Sequence, residues 1–397
     1  MKINKKIFIC ALLVLVMLCV IGTASATDES LDDNSTILTQ DEAIDEIAES
    51  PAVSNSGDKL SAEGDTITVD SNGGGDYTTI SAAVGAATGG ETIFIKNGDY
   101  SIDTKIEPKV SLSFVGETKD GVKITSVGGI NLFESTTSDI TLSFKTLNFN
   151  NFNFGTKSAT AMRFGSNINL NIDDCSFVDC SSKYGVLYLY TTGTTNINNC
   201  LIKDFNTTTN GGCSGIFISG NGEYNINNTI IDNARYDLNN YYSYGVIYLN
   251  AKSGILNLDN VTISNCFLNA ATGSAIIYAK SEVNIKNSKF IDNTINKTGS
   301  ADVSLFYLNY NSNNNPNTKI NMNQSMISGN TATNLIYSNN NNAKTTINYC
   351  NIKDNSVSAL KSSNGNYDLE SNYWGSNSLP EGVSASTWIV EEDGVIN

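Results

Sequence analysis

Apolar and polar positions recur along most of this chain in one short phrase. In Ile197-Asn198-Asn199-Cys200-Leu201-Ile202-Lys203-Asp204 it reads apolar, polar, Asn or Asp, small, any, apolar, any, Asp or Asn. Eight further copies begin at Phe144, Ile172, Ile226, Leu258, Ile285, Met322, Ile347 and Leu369, at intervals of 22 to 37 residues. A period this short, with variable insertions, marks a solenoid whose units bury their apolar faces only against their neighbours.

Inside each unit the spacing is never helical. Short alternating runs rich in Ile, Val, Phe and Tyr, broken by Asn, Gly, Ser and Asp, predict strands. Asn recurs at the third position (Asn199, Asn228, Asn260, Asn287), and Asn is the non-glycine residue that best tolerates a left-handed backbone, so the phrase reads strand, Asn bend, strand. A second ladder precedes each copy and supplies a third strand. Its middle column, Met162, Leu187, Phe217, Ile247, Ile277, Phe306, Ile336 and Leu360, carries no polar residue and is expected to face the core. Three parallel strands per coil predict an all-β, right-handed parallel β-helix.

Strand alternation then turns the flanking columns outward. On one side these are Val186, Ile216, Val246, Ile276, Leu305 and Leu335; on the other, Arg163, Tyr188, Ile218, Tyr248, Tyr278, Tyr307, Tyr337 and Lys361. Such a stripe is more apolar surface than a monomer normally exposes. Tyrosine stacking that only holds the sheet together accounts for it; so does a docking face for a glycan or protein, since Tyr offers a flat apolar ring and a polar tip. An insertion with Arg235, Tyr236, Tyr241, Tyr242 and Tyr244, and an Asn-rich one over 310–318, would extend that face. The candidate binding residues are therefore Tyr188, Tyr248, Tyr278, Tyr307, Tyr337, Arg235, Tyr236, Tyr241, Tyr242 and Tyr244.

Ahead of the repeats the chain changes in kind. Residues 1–26 carry Lys2, Lys5 and Lys6, an apolar run from Ile7 to Ile21, and Ala24-Ser25-Ala26, the pattern of a cleaved export signal. Residues 27–64 hold eleven acids against Lys59 and few large apolar groups, an acidic disordered linker. Residues 65–397 form the β-helix domain. Losing the three leader lysines takes the net charge from −16 to −19, which argues against nucleic acid as a partner. The expected location is secreted or cell-surface, with no membrane span in the mature chain. Sequons at Asn34, Asn206, Asn227, Asn260, Asn296 and Asn323 are compatible with a glycoprotein.

In the domain's opening, Ile80, Ala83, Val84 and Ala87 share one helical face, with Thr78 or Thr79 placed to cap it and Gly89-Gly90 to end it. This short helix is the expected lid on the solenoid's first coil. The stretch DYTTISAAVGAATGGETIFIKNGDY resembles the opening of the pectin-lyase-like β-helix superfamily, and the coils ending in SNYWGSN at 371–377 resemble adhesin-like surface proteins of methanogenic archaea. The resemblance implies a surface role; it also raises polysaccharide chemistry as the alternative, because the superfamily includes lyases, hydrolases and esterases.

The residues for that chemistry are sparse. The chain has no His and only Arg163 and Arg235, whereas the resemblance implies carboxylates holding Ca²⁺ plus an arginine base for a lyase, two Asp and an Arg for an esterase, or a His for a polygalacturonase. No such motif occurs as a string, so no catalytic residue and no cofactor is assigned. The best residual pair is Asp179 and Asp204, which share a column about 5 Å apart. Asp292, Asp354, Asn151, Asn233 and Asn265 occupy the same column, which favours a turn role. Cys175, Cys200 and Cys350 share a core column, and Cys180 and Cys266 another, so they read as small apolar fillers. A Cys175–Cys200 disulfide stays open, and no Cys-x-x-Cys or His supports zinc.

Overall fold

The computed structural model describes residues 64–389, apart from 155–158, 208–210, 238–242, 271–272, 301, 311–316, 363, 377 and 388. The expected export signal and nearly all of the acidic linker lie outside the described residues. Within them the chain winds into a parallel β-helix of about ten turns with one short helix. One face is a twelve-stranded sheet, from Thr66–Val69 through Thr194–Asn198 to Asn366–Asp368, with one strand from each coil. The phrase read from sequence is in register along it: Phe144, Ile172, Ile197, Ile226, Leu258, Ile285, Met322 and Ile347 stack as direct partners.

From the coil of Thr146 to that of Asp354, two left-handed residues five apart shape the next face. Asn199 (φ 55) and Asp204 (φ 54) bend one coil, and Asn228 with Asn233, Asn260 with Asn265, and Asn287 with Asp292 bend the next three. The first turns the chain out of the twelve-stranded sheet and the second kinks the following strand, as within Leu201–Thr207. This is why the phrase carries Asn or Asp at both places: short polar side chains lower the cost of that backbone. The side chains also tie neighbouring coils, as when Asn233 Nδ2 donates to Asp204 Oδ1 at 2.6 Å.

Between the faces the core is layered. Phe114 stacks on Phe144 with centroids 4.8 Å apart, and Phe149 on Phe177 at 4.9 Å. Toward the C-terminal coils the column that begins with Phe152, Cys180 and Phe205 changes to Asn293, Asn330 and Asn355, buried or nearly so. These amides satisfy one another. Asn330 Nδ2 donates to Asn355 Oδ1 (2.9 Å) and to the carbonyls of Phe290 and Ser328, while its Oδ1 accepts from the backbone and side-chain nitrogens of Asn293. Among the described residues six cysteines are buried free thiols, five of them in the same interior and Cys213 in a smaller cluster outside it. Burial pushes Cys180, Cys200, Cys213, Cys266 and Cys350 up to about 12 and Cys175 well above its usual value.

Outside, a second amide ladder runs up the middle of the twelve-stranded sheet. Asn196, Asn225, Asn257, Asn284 and Asn321 each donate Nδ2 to the Oδ1 of the residue one coil earlier, starting at Asn171, over 2.8 to 3.1 Å. The predicted helix is present at Ile80–Ala86; Thr79 caps it by accepting from Ala82 N, and Ile80 and Ala83 bury against the first coil. Just after it, Glu91 accepts from the Thr88 hydroxyl and from the backbone N–H groups of Thr88 and Gly89, which hold its carboxyl at about 2. At the other end Glu370 clasps Ser386 and Thr387 through their backbone and hydroxyl donors.

Candidate binding face

The third face carries the expected outward column, and pairing shows what it contains. Glu134, Arg163, Tyr188, Phe217, Tyr248, Tyr278, Tyr307 and Tyr337 are direct partners from coil to coil. This corrects the expected register at one coil. Leu187 pairs with Ile216, so Phe217 belongs to the outward aromatics and Ile218 is buried. A slip of one residue exchanges the faces of every side chain in a strand. A second slip falls at the end, where Lys361 pairs with Ile336 instead of following Tyr337.

The aliphatic column expected on the other side is also corrected: Val186, Ile216, Val246, Ile276, Leu305 and Leu335 are all buried in the main core. Pairing jumps from Ala275↔Ser304 to Ile277↔Phe306, and the register shifts between Cys213 and Ile216. At such irregularities two consecutive residues turn inward, because strict alternation holds only within an unbroken strand.

Rings along the ladder touch throughout. Tyr188, Phe217, Tyr248 and Tyr278 meet edge to face with centroids 4.8 to 5.2 Å apart; Tyr278 stacks on Tyr307 at 4.6 Å, and Tyr337 follows at 4.7 Å. Two further tyrosines lie over them. Tyr244 stacks on Tyr248 at 4.1 Å, and Tyr184 packs on Tyr188 and Phe217. The middle of the stripe is thereby covered: Tyr248 is 2% exposed and Tyr278 7%. Its ends, Tyr188 and Tyr190 on one side and Tyr307 and Tyr337 on the other, remain half-buried, as do the overlying Tyr184 and Tyr244. The expected solvent-facing stripe is instead a small second core outside the helix, open at both ends.

A polar row accompanies the rings in the next outward column. The Tyr248 hydroxyl donates to Asn250 Oδ1, which also accepts from Lys280 Nζ, both at 2.7 Å. Asn309 Nδ2 donates to the Tyr278 hydroxyl and its Oδ1 accepts from Asn339. Burial pushes the Tyr278 phenol up to about 12 and the Lys280 ammonium below its usual value. Charged groups border one end. Arg163 sits over the rings of Tyr188 and Tyr190 at 5.3 and 5.4 Å and bonds Glu134 at 2.9 Å, and Lys105 reaches the same carboxylate at 3.0 Å. Burial opposes ionisation of Glu134, but the hydrogen bond from Asn131 and the two cations outweigh it and hold the carboxyl below its ordinary value.

The insertion residues fare differently. Tyr236 is fully buried in the main core, because its strand, Arg235–Asp237, pairs with Thr207 and Leu268 and points it inward. Arg235 is exposed beside Phe267 and Asp237, away from the ladder. Tyr244 joins the ladder, and Tyr241 and Tyr242 lie outside the described residues. Tyr190, Tyr184 and Phe217 were missed in the sequence; alternation from Tyr188 points to Tyr190, and the slip hid Phe217.

Asp179 and Asp204 do share a column, each at a left-handed bend, with Asp204 bonded to Asn233. Among the described residues no group of three or more His, Cys, Asp or Glu side chains is placed to hold a metal ion. No described helix is long and apolar enough to cross a membrane.

No protein-family model matches the sequence, and no curated protein does. Among solved structures several are similar to this chain. One is a tailspike protein of an Acinetobacter phage, at 15% identity over 81% of this chain and 61% of that one, with a TM-score of 0.48. Another is a PL6 family alginate lyase, at 11% identity, 79% and 40% coverage and a TM-score of 0.40. A third is a pectin methylesterase from Erwinia chrysanthemi, at 17% identity, 67% and 90% coverage and a TM-score of 0.33. The chain thus spans about two fifths of the alginate lyase's length and three fifths of the tailspike's.

Proposed function

We propose that this is a non-catalytic, exported adhesin-like protein that holds a glycan at the open ends of the aromatic ladder. The observation that carries the reading is a stack of rings built outside the main core, with a hydrogen-bonded polar row beside it and its two ends left accessible. Flat rings stack on the apolar faces of sugars while flanking amides and charges meet their hydroxyls. Tyr188 and Tyr190, with Arg163 and Glu134, form one platform; Tyr307 and Tyr337 form the other. Tyr248, Tyr278 and Tyr244 keep the rings in place. The test is capture of the purified protein on immobilised glycans and on cells. Tyr188→Ala/Tyr190→Ala and Tyr307→Ala/Tyr337→Ala should each reduce capture while preserving the β-sheet circular dichroism spectrum. Equal capture by both folded double variants would return the ladder to a purely structural role.

A further inference from the structure

Beyond the strand that carries Tyr190, which ends at Thr191, the chain turns a corner into the twelve-stranded sheet, and there four successive coils leave a groove of about 420 Å³. Its walls include Asn167, Asn169, Thr192, Thr194, Asn221 and Glu223. Glycine makes the corner possible. A Cβ on Gly193 would stand 2.4 Å from the Ile168 carbonyl oxygen, and one on Gly222 2.2 Å from that of Gly193, so the turns stack backbone on backbone and the larger side chains stay at the rim. The groove's Thr192 follows Tyr190 of the aromatic platform by two residues. The Tyr190 ring packs against Gly165, where a Cβ would come within 1.8 Å of it, and Asn167 follows two residues later.

The walls supply hydroxyls, amides and backbone groups. Asn169 Oδ1 accepts from Thr194 N, and Asn221 Oδ1 from Lys252 N and Ser253 N, so both amide oxygens are fixed. Their Nδ2 groups, and the hydroxyls of Thr192 and Thr194, bond no protein partner among the described residues. Charge is one-sided: Glu223 is on the wall, Asp139 holds Asn167 from behind at 2.7 Å, and among the described residues no lysine or arginine lines the groove.

We infer that this corner groove is a subsite for neutral, hydroxyl-rich sugar rings, continuing the line of a chain whose neighbouring ring lies on Tyr190. The inference rests on the glycan-binding reading above and adds the ligand's class. Fixed amides with free N–H groups, threonine hydroxyls and a carboxylate acceptor match sugar hydroxyls, whereas an acidic sugar would meet two carboxylates and no cation.

The experiment is titration calorimetry of the full chain with hexasaccharides of glucose, mannose and N-acetylglucosamine, and with a hexauronate as the anionic probe. At least one neutral probe should bind in preference to the uronate, with affinity unchanged between about 50 and about 500 mM salt, as expected without ion pairing. Thr192→Trp, which fills the groove from an exposed position, should weaken that binding roughly tenfold. Glu223→Gln, a second and less intrusive change, should weaken it less. If Thr192→Trp and Glu223→Gln bind like wild type while Tyr188→Ala/Tyr190→Ala does not, the groove assignment falls and the aromatic face stands. Preference for the uronate, with salt-sensitive affinity, overturns the neutral class. Binding of no probe by wild type removes the glycan reading itself.

Discussion

Two residues per coil hold a backbone that L-amino acids avoid, and their side chains decide how much that costs. At Asp204 the carboxylate also receives Asn233. Asp204→Ala should lose about 1 to 2 kcal/mol through the left-handed backbone alone, and Asp204→Gly should recover most of it, read from urea midpoints. Neither should alter any release of reducing or unsaturated ends from pectate; loss of such an activity in Asp204→Ala would make the Asp179–Asp204 column catalytic. The buried amides are less forgiving. Asn330→Leu strands the donors and acceptors that Asn330 now serves at Phe290, Asn293 and Asn355, at about 1 to 3 kcal/mol for each group left unsatisfied. Asn321→Ala, in the solvated outer ladder, should lose well under half as much by the same measurement.

At the scale of strands and ladders, the covered middle and open ends of the aromatic stack should separate stability from binding. Tyr248→Ala, at a nearly buried site, should destabilise by about 3 to 5 kcal/mol, and Tyr337→Ala by far less; thermal unfolding of the two distinguishes them. The element level is also where the sequence was most and least legible. The phrase around Ile197 gave the coil, its register and both bends, because an inward apolar residue and a left-handed Asn leave marks that no other arrangement reproduces. The third face was legible only in part. Gly-Ile-Phe-Ile-Ser at 215–219 and Gly-Val-Ile-Tyr-Leu at 245–249 look alignable by their glycines, but the true pairing aligns Ile216 with Ile247 and not with Val246. An irregular step absorbs the extra residue, and an irregularity in a ladder has no composition of its own. The same holds for the cover over the rings: Tyr244 reads as a loop residue, and only the fold lays it on Tyr248.

For the described domain as a whole, coils meet only their neighbours, so its ends are where acid should act first. Glu91 at the first coil is held at about 2 against an ordinary 4.5, and Glu370 at the last is lowered by the backbone N–H groups of Ser386 and Thr387. Folded values below unfolded ones mean that these clasps contribute fully above about pH 4.5 and lose their contribution as pH falls toward about 2. Stability should therefore be flat from neutral pH to about 5 and decline below it; Glu91→Gln should flatten part of that decline, as urea titrations across pH would show. The thiols should stay silent to aromatic disulfide reagents in the native protein and all become titratable in denaturant. The outer asparagine ladder has a direction as well as a place. Every Nδ2 from Asn196 to Asn321 points to the earlier coil and every amide oxygen it meets points to the later one. Aligned in this way, the amide dipoles add and polarise one another, so the face carries a standing electrical axis, positive toward the first coil and negative toward the last, that survives whatever net charge the rest of the chain acquires.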